Sequence, residues 1–240
     1  MNPYDFLPIA AILAAAADGL AALGSLVTPA GAIVIVTLAV RALLIPVGVS
    51  VARAAQNRRR LAPRIAELQR RHRRNPERLQ KETMALYAAE RVSPFAGCLP
   101  MLAQAPVLAL VYALFAVPVI AGAPNPLLES SLLGAGLGRH LSDVAAGPLV
   151  GDLVFPVLVL VLGVVAWLGR RMTLRDAPPV VAGAAAAPGA AVLDPRGPLG
   201  WAPFLVLAAV AVVPLAASLY LAVSGTWSYL ERRILRAVYA

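Results

Sequence analysis

Between Ala32 and Ala52 the chain reads AIVIVTLAVRALLIPVGVSVA, apolar throughout except for Arg41 near its middle. Roughly 20 apolar residues in a row span a bilayer, and an ionised group at such a depth is expensive. A group that costs stability and is kept there points to function. Further apolar blocks follow. Cys98 to Ala121 is long enough to cross, and so is Leu153 to Leu168, which Gly169, Arg170 and Arg171 end sharply. The last block runs from Trp201 to about Tyr229, some 29 residues with Pro214 in its middle. Proline breaks the helical ladder and clashes with the preceding turn, so this block predicts a short helix to Val213 and a longer one to about Leu235. At 1.5 Å per residue the short helix reaches only about 20 Å, and it spans only where the bilayer thins or the helix starts deep.

These blocks predict an all-α integral membrane protein with five transmembrane helices, at residues 30–52, 95–121, 151–171, 201–213 and 214–235. Charge sets their orientation. With the N-terminus outside and the C-terminus cytoplasmic, Arg139 is the only basic residue on the outer face, in the external loop 122–150, against Asp5, Asp18, Glu129, Asp143 and Asp152. The inverse arrangement puts almost every arginine outside. Residues 1–29 have two readings: a sixth span over residues 6–26, or an amphipathic helix at the outer interface. Asp18 and Gly19 interrupt the run and favour the second. Pro29 then stands near the first turn of the first span, where proline is tolerated.

Residues 53–94 read as a basic cytoplasmic helical hairpin. Leu61, Ile65 and Leu68 fall close to one helical face, and Asn75 and Pro76 form the N-cap and first position of a second helix. Leu79, Met84 and Tyr87 make an intermittent stripe on that helix. The tip, RRHRRNPER, carries Arg70, Arg71, Arg73 and Arg74. One reading of that charge is solvation and attraction to anionic lipid. The other is a docking site for a ribosome or an incoming chain. Residues 172–200, rich in Ala, Pro and Gly, predict a disordered cytoplasmic loop, and residues 236–240 a short cytoplasmic tail.

Composition agrees. The chain is 60% hydrophobic with mean hydropathy +0.78, where soluble domains are nearer half apolar. Of its 21 Lys+Arg residues, 12 lie between Arg53 and Arg91. Such clustering is what the positive-inside rule produces, so the net charge of +9 does not call for a specific nucleic-acid sequence as partner. The single cysteine, Cys98, excludes an internal disulfide and lies far from the sites of terminal lipid anchors. The N-terminal MNPYDFLPIA has an acid where a signal or transit peptide has basic residues, so no cleaved targeting segment is expected. His72 and His140 fall on opposite sides of the membrane, and no Gly-rich phosphate loop or acid pair lies within the spans. An enzyme, a metal site and a cofactor are therefore not expected.

VRALLIPV, the hairpin with LAPRIAELQRRH, then SPFAGCLPMLAQAPVLALVY, and finally PLAASLYLAVSGTWSYLERRIL occur in that order. Together they resemble the YidC family of membrane protein insertases, with its mitochondrial Oxa and chloroplast Albino relatives. The resemblance covers about residues 30–235. Its more specific part is the Gly-Cys-Leu-Pro and Gln-x-Pro pairing at residues 97–106, downstream of an intramembrane arginine and a basic hairpin. It implies five core helices around a hydrophilic groove, closed to the outside and open to cytoplasm and lipid. Arg41 would sit in that groove and attract the polar or acidic outer segment of a substrate, while apolar segments slide along the third and fifth helices. Some positions depart from the family pattern: Leu221 where a second aromatic is frequent, Gly225 where asparagine is common, and Glu231 where glutamine is common. The tail after Arg236 is too short for the basic ribosome-binding extension of some members.

The resemblance implies nascent membrane proteins, the ribosome and the general secretion translocon as partners, and a bacterial-type plasma membrane as location. Gln104 and Tyr112, eight residues apart, lie on nearly one face of the second span. They read as groove lining or as polar glue between helices. Tyr220, Ser224 and Trp227 form one stripe on the last helix; by resemblance Tyr220 and Ser224 face the substrate path, and the other reading is helix packing with an interfacial anchor. Leu108 and Trp227 are assigned to the hydrophobic slide, Cys98 and Pro100 to the entry of the second span. For Arg41 the competing reading is a side chain that snorkels from a span at residues 20–40. That would put Pro29 in mid-span and leave ALLIPVGVSVA as surplus. The rival function is a small-anion transporter or channel with Arg41 as binding charge, and it lacks the inverted internal repeat such folds carry. A third is a scaffold that docks partners on its hairpin without inserting anything.

Overall fold

The computed structural model describes residues 7–72, 74–90, 92, 112–115, 117–120, 123–146, 153–176 and 196–239. The described chain is mostly helical and falls into two compact units. The first comprises Met1–Leu44, Gln104–Trp167 and Phe204–Tyr229; the second comprises Ile45–Ala103, Leu168–Pro203 and Leu230–Ala240.

In the first unit, α1 (Leu7–Leu26) packs on α2 (Pro29–Leu43) across a bend of 120°. Leu13, Ala17 and Leu20, spaced by four and three, turn one face of α1 inward against Ala30, Ala32 and Ile33 of α2. Thr28 caps α2 by accepting from Gly31 N at 3.0 Å, and Pro29 takes the first turn, where its missing N–H costs nothing. The segment 117–146 adds what an all-α expectation omits. Two antiparallel pairs, β1 (Val119–Ile120) with β2 (Ala123–Pro124) and β3 (Ser131–Leu132) with β4 (Ala135–Gly136), flank the single-turn helix α5 (Pro126–Glu129). Leu133 and Gly134, both at positive φ (52° and 88°), make the two-residue turn between β3 and β4, the twist such hairpins need.

The helix α6 (Val154–Asp176) is contributed to both units. Among the described residues its stretch Val154–Arg175 is the one helix long and apolar enough to cross a membrane by itself; the bent α1–α2 pair qualifies only when counted together. A 3-10 stretch, Pro198–Phe204, leads into α7 (Leu205–Val212). The chain then breaks before Pro214 and continues as α8 (Leu215–Val238). The first four residues of α8, Leu215 to Ser218, are fully buried. Its first two N–H groups, which no helical carbonyl can satisfy, donate to the segment 117–146: Leu215 N to Arg139 O and Ala216 N to Leu137 O, each at 2.9 Å. At Gly225 of α8 the nearest atoms belong to Val165 and Leu162 of α6, 3.8 and 3.9 Å from where a side chain would begin, which is ordinary van der Waals distance.

In the second unit, α3 (Ile45–Arg71) and α4 (Pro76–Ala89) form the hairpin. Asn75 caps α4 by accepting from Arg78 N at 2.9 Å, with Pro76 at the first turn, as the sequence indicates. The helix start differs. The sequence suggests one helix through Ala52, whereas the structure breaks at Leu44 and carries α3 unbroken from Ile45 past Arg53. Pro46 explains the break, because it cannot donate to the Ala42 carbonyl one turn back. Pro63 lies inside α3 without ending it. Most of the second span read at 95–121, and residues 177–195 of the loop read as disordered, lie outside the described residues.

Candidate functional site

Arg41 stands in the last turn of α2, four residues after Thr37 on the same face. Thr37 is buried and spends its hydroxyl on its own helix, donating to Ile33 O at 2.6 Å. Arg41 is half-buried and reaches across to α8, where its Nη2 donates to Ser224 Oγ. Ser224 is buried, and its carbonyl accepts from Ser228 Oγ at 2.9 Å. Among the described residues Arg41 makes no ion pair. A guanidinium carries five N–H donors, so a hydroxyl partner leaves both its positive charge and most of its donors available. Such a site suits a carboxylate or another anion.

Tyr220, one turn before Ser224, is also buried; its ring meets Phe115 at a centroid distance of 5.7 Å and a tilt of 40°. Ser218 is buried with no hydrogen bond to its Oγ among the described residues. The structure thus joins Arg41 to Ser224 and sets Tyr220 one turn away on the same helix face. Tyr112, 39% exposed, starts a short described helical turn that ends in Phe115. Trp227 is half-buried on α8. Gln104, Leu108, Cys98 and Pro100 lie outside the described residues.

At the hairpin tip Arg70, Arg71 and Arg74 are exposed, and Arg71 pairs with Glu67 at 2.9 Å; Arg73 lies outside the described residues. The tip is built around Glu82. Its carboxylate accepts from Arg78 Nε at 3.1 Å and faces His72 Nε2 at 2.9 Å. The bond from Arg78, with His72 beside it, holds the Glu82 carboxyl below the usual glutamate range. Glu90, which caps α4, joins it to α3 by pairing with Arg60 at 2.6 Å and with Arg64.

Several residues that hold the site's surroundings carry little sequence signal. Asn125, fully buried, donates from Nδ2 to Leu114 O at 2.9 Å and Val117 O at 3.1 Å, and accepts from Leu127 N at 3.2 Å. An asparagine before proline at the end of an apolar run is a helix-start signal that could have marked it. Glu231 lies against α3 at Gly48, so that a side chain built there would overlap its carboxylate, 2.8 Å from Cδ. Arg170 stacks on the Trp201 ring, 4.1 Å from its centroid. Neither contact follows from spacing along the chain. No group of three or more His, Cys, Asp or Glu placed to hold a metal occurs among the described residues.

Comparison with known proteins shows the family. The family described as 60Kd inner membrane protein matches residues 24–240. A membrane protein insertase YidC of Clostridium perfringens is 41% identical over 83 residues, 35% of this chain and 35% of that protein. The YidC of Zymomonas mobilis is 28% identical over 160 residues, 62% of this chain and 26% of that protein. That of Clostridium tetani is 36% identical over 84 residues, 35% of this chain and 38% of its own length. The chain therefore aligns with well under half the length of these relatives. With nearly all of its residues matched, the chain belongs to the 60Kd inner membrane protein family, the family of YidC and Oxa.

Proposed function

We propose that the chain is a membrane protein insertase that moves nascent membrane proteins into a bacterial plasma membrane without an energy source of its own. Five spans, N-terminus outside and C-terminus cytoplasmic, would surround a groove open to cytoplasm and lipid, with Arg41 in it. The observation that carries this reading is the setting of Arg41: a cation within an otherwise apolar helix, held by the hydroxyl of Ser224 rather than by an acid. In the groove, water shortens the dielectric barrier to a polar outer tail, and the guanidinium supplies a transient counter-charge. Release into lipid is then driven by burial of the substrate's apolar span, about 25 cal/mol per Å². Gln104, Tyr112, Tyr220 and Ser224 would line the path, with Leu108 and Trp227 on its apolar side. The exposed Arg70, Arg71 and Arg74, with Arg73, would meet the ribosome or anionic lipid headgroups. The general secretion translocon is a further partner in this reading.

The test is insertion by the purified chain in proteoliposomes, read by protease protection, with a photocrosslinker placed at Tyr220 or Gln104 and a stalled nascent chain as target. Insertion above empty vesicles with crosslinks at either position is the expected result. Insertion no faster than in empty vesicles, together with uptake of a labelled small anion that nascent chains do not slow, would replace the proposal with an anion pathway.

A further inference from the structure

The second unit holds another half-buried arginine, Arg170. Leu168 ends the apolar stretch of α6, and Gly169, Arg170 and Arg171 follow at once. A helix that changes this abruptly from apolar to basic does so at headgroup depth. There the Arg170 guanidinium lies flat on the ring of Trp201, 4.1 Å from its centroid. Its Nε is buried and meets no acceptor among the described residues, and Arg170 forms no ion pair there. Stacking satisfies the face of a guanidinium but none of its N–H donors, which point out along its edge. Trp201 itself is 56% exposed, as an aromatic at a membrane boundary would be.

The surroundings add positive charge. Arg232 of α8 lies alongside, its Nη2 3.7 Å from where a Gly169 side chain would begin. Arg171 and Arg175 are exposed on the same end of α6. The neighbouring acid, Glu231, meets α3 at Gly48 and also acts on the charge of Arg232. Of Arg170 and Arg232 it is therefore Arg170 that has no acid beside it in an ion pair among the described residues. A planar cation with free donors, a half-exposed indole and a second guanidinium together fit a phosphate diester whose acyl chains run along the apolar part of α6.

We propose that Arg170, Trp201 and Arg232 form a seat for one anionic phospholipid headgroup at the basic end of α6. The seat rests on the reading of α6 as a span, but not on insertase activity. It is also separate from the hairpin tip, where Arg70, Arg71 and Arg74 are exposed.

The full chain in lipid nanodiscs, ejected into a native mass spectrometer, tests this. Titration with phosphatidylglycerol should leave one lipid retained ahead of the rest, whereas phosphatidylcholine should not. Arg170→Gln should weaken that retention about fivefold, the factor for one basic side chain removed from an anionic lipid surface. Trp201→Leu, which keeps every charge, should weaken it too, while Arg70→Gln at the hairpin should leave it unchanged. Equal retention by the wild type, Arg170→Gln and Trp201→Leu would overturn the seat, and so would displacement of the lipid by millimolar inorganic phosphate, which would mark a site for a soluble anion. A chain that fails to enter nanodiscs at all would refute the span and, with it, the seat. If Arg170→Gln does not fold, Arg170→Lys serves. It keeps the charge but loses the stacked fork, and retention equal to the wild type would again overturn the proposal.

Discussion

Replacing Arg41 separates a counter-charge from a structural strut. In Arg41→Ala the Ser224 hydroxyl loses its donor but can turn back to the carbonyl one turn earlier in α8, a bond serines make freely in helices. The fold should therefore survive, with a melting temperature within about 4 °C of the wild type. The effect on function follows from Coulomb's law. A substrate carboxylate about 4 Å from the guanidinium gains about 1 kcal/mol in water and about 4 kcal/mol at an effective dielectric near 20. Arg41 is half-buried and keeps all but one of its donors, which places it between those limits. At 1.36 kcal/mol per tenfold, Arg41→Ala should slow insertion of a substrate with an acidic outer tail by between about fivefold and about a thousandfold. Arg41→Lys should retain part of the rate, because a point charge attracts the tail but cannot hold Ser224 and a carboxylate together. The assay is protease protection in proteoliposomes, with paired substrates that differ only in an acidic or a neutral tail. The neutral tail should insert within about twofold of the wild-type rate, a difference too small for a lost charge pair. Equal slowing of both tails would make Arg41 a structural residue, and no slowing of the acidic tail would remove the counter-charge altogether.

Three further outcomes follow from the contacts. Asn125→Ala should lower the unfolding free energy by about 2–4 kcal/mol, since it strands the buried carbonyls of Leu114 and Val117; Asn125→Asp, which cannot donate to them, should be no milder, as thermal melts in detergent would show. Gly48→Ala gains about 1 kcal/mol of helix propensity but displaces the Glu231 carboxylate. It should stabilise the chain clearly only when combined with Glu231→Ala, and equal effects in both backgrounds would refute the contact. Glu82 is held below its ordinary range by Arg78 and His72, so its contribution is present at neutral pH and is lost as pH falls through its lowered value. The wild type's thermal advantage over Glu82→Gln should accordingly shrink below about pH 4.

What could be read from the chain was local. Asn75 with Pro76 and Thr28 with Pro29 declare helix starts because the cap and the fixed proline φ act within one turn. Pro214 ends α7 for the same short-range reason. Pro46 carried the same kind of information, and its effect on the Ala42 carbonyl was masked by the apolar run around it. Pro63 shows the limit of that rule, since α3 tolerates it inside the hairpin. Arg41 stood out by cost alone. Ser224 was marked by its stripe with Tyr220 and by the resemblance, but its bond to Arg41 was not, because the two lie 183 residues apart. Asn125, Glu231 at Gly48 and Arg170 on Trp201 were hidden in the same way: each is made by two stretches of chain brought together by packing. The hairpins between Val119 and Gly136 are two residues per strand, too short for any alternation to register.

The bonds from Leu215 and Ala216 to the carbonyls of Arg139 and Leu137 fix the register of α8 along its axis. They tether α8 at its first turn, so the helix cannot slip along its axis by even one residue without losing both. Ser224 follows nine residues after Leu215, about 13 Å further along the axis. The folded segment 117–146 therefore works as a plumb line, and the level at which the Ser224 hydroxyl meets the cation is measured from it. One alanine inserted between Ala216 and Ser224 would lower that hydroxyl by about 1.5 Å and swing it by about 100°, carrying it out of the guanidinium's reach while every residue of the site was still present.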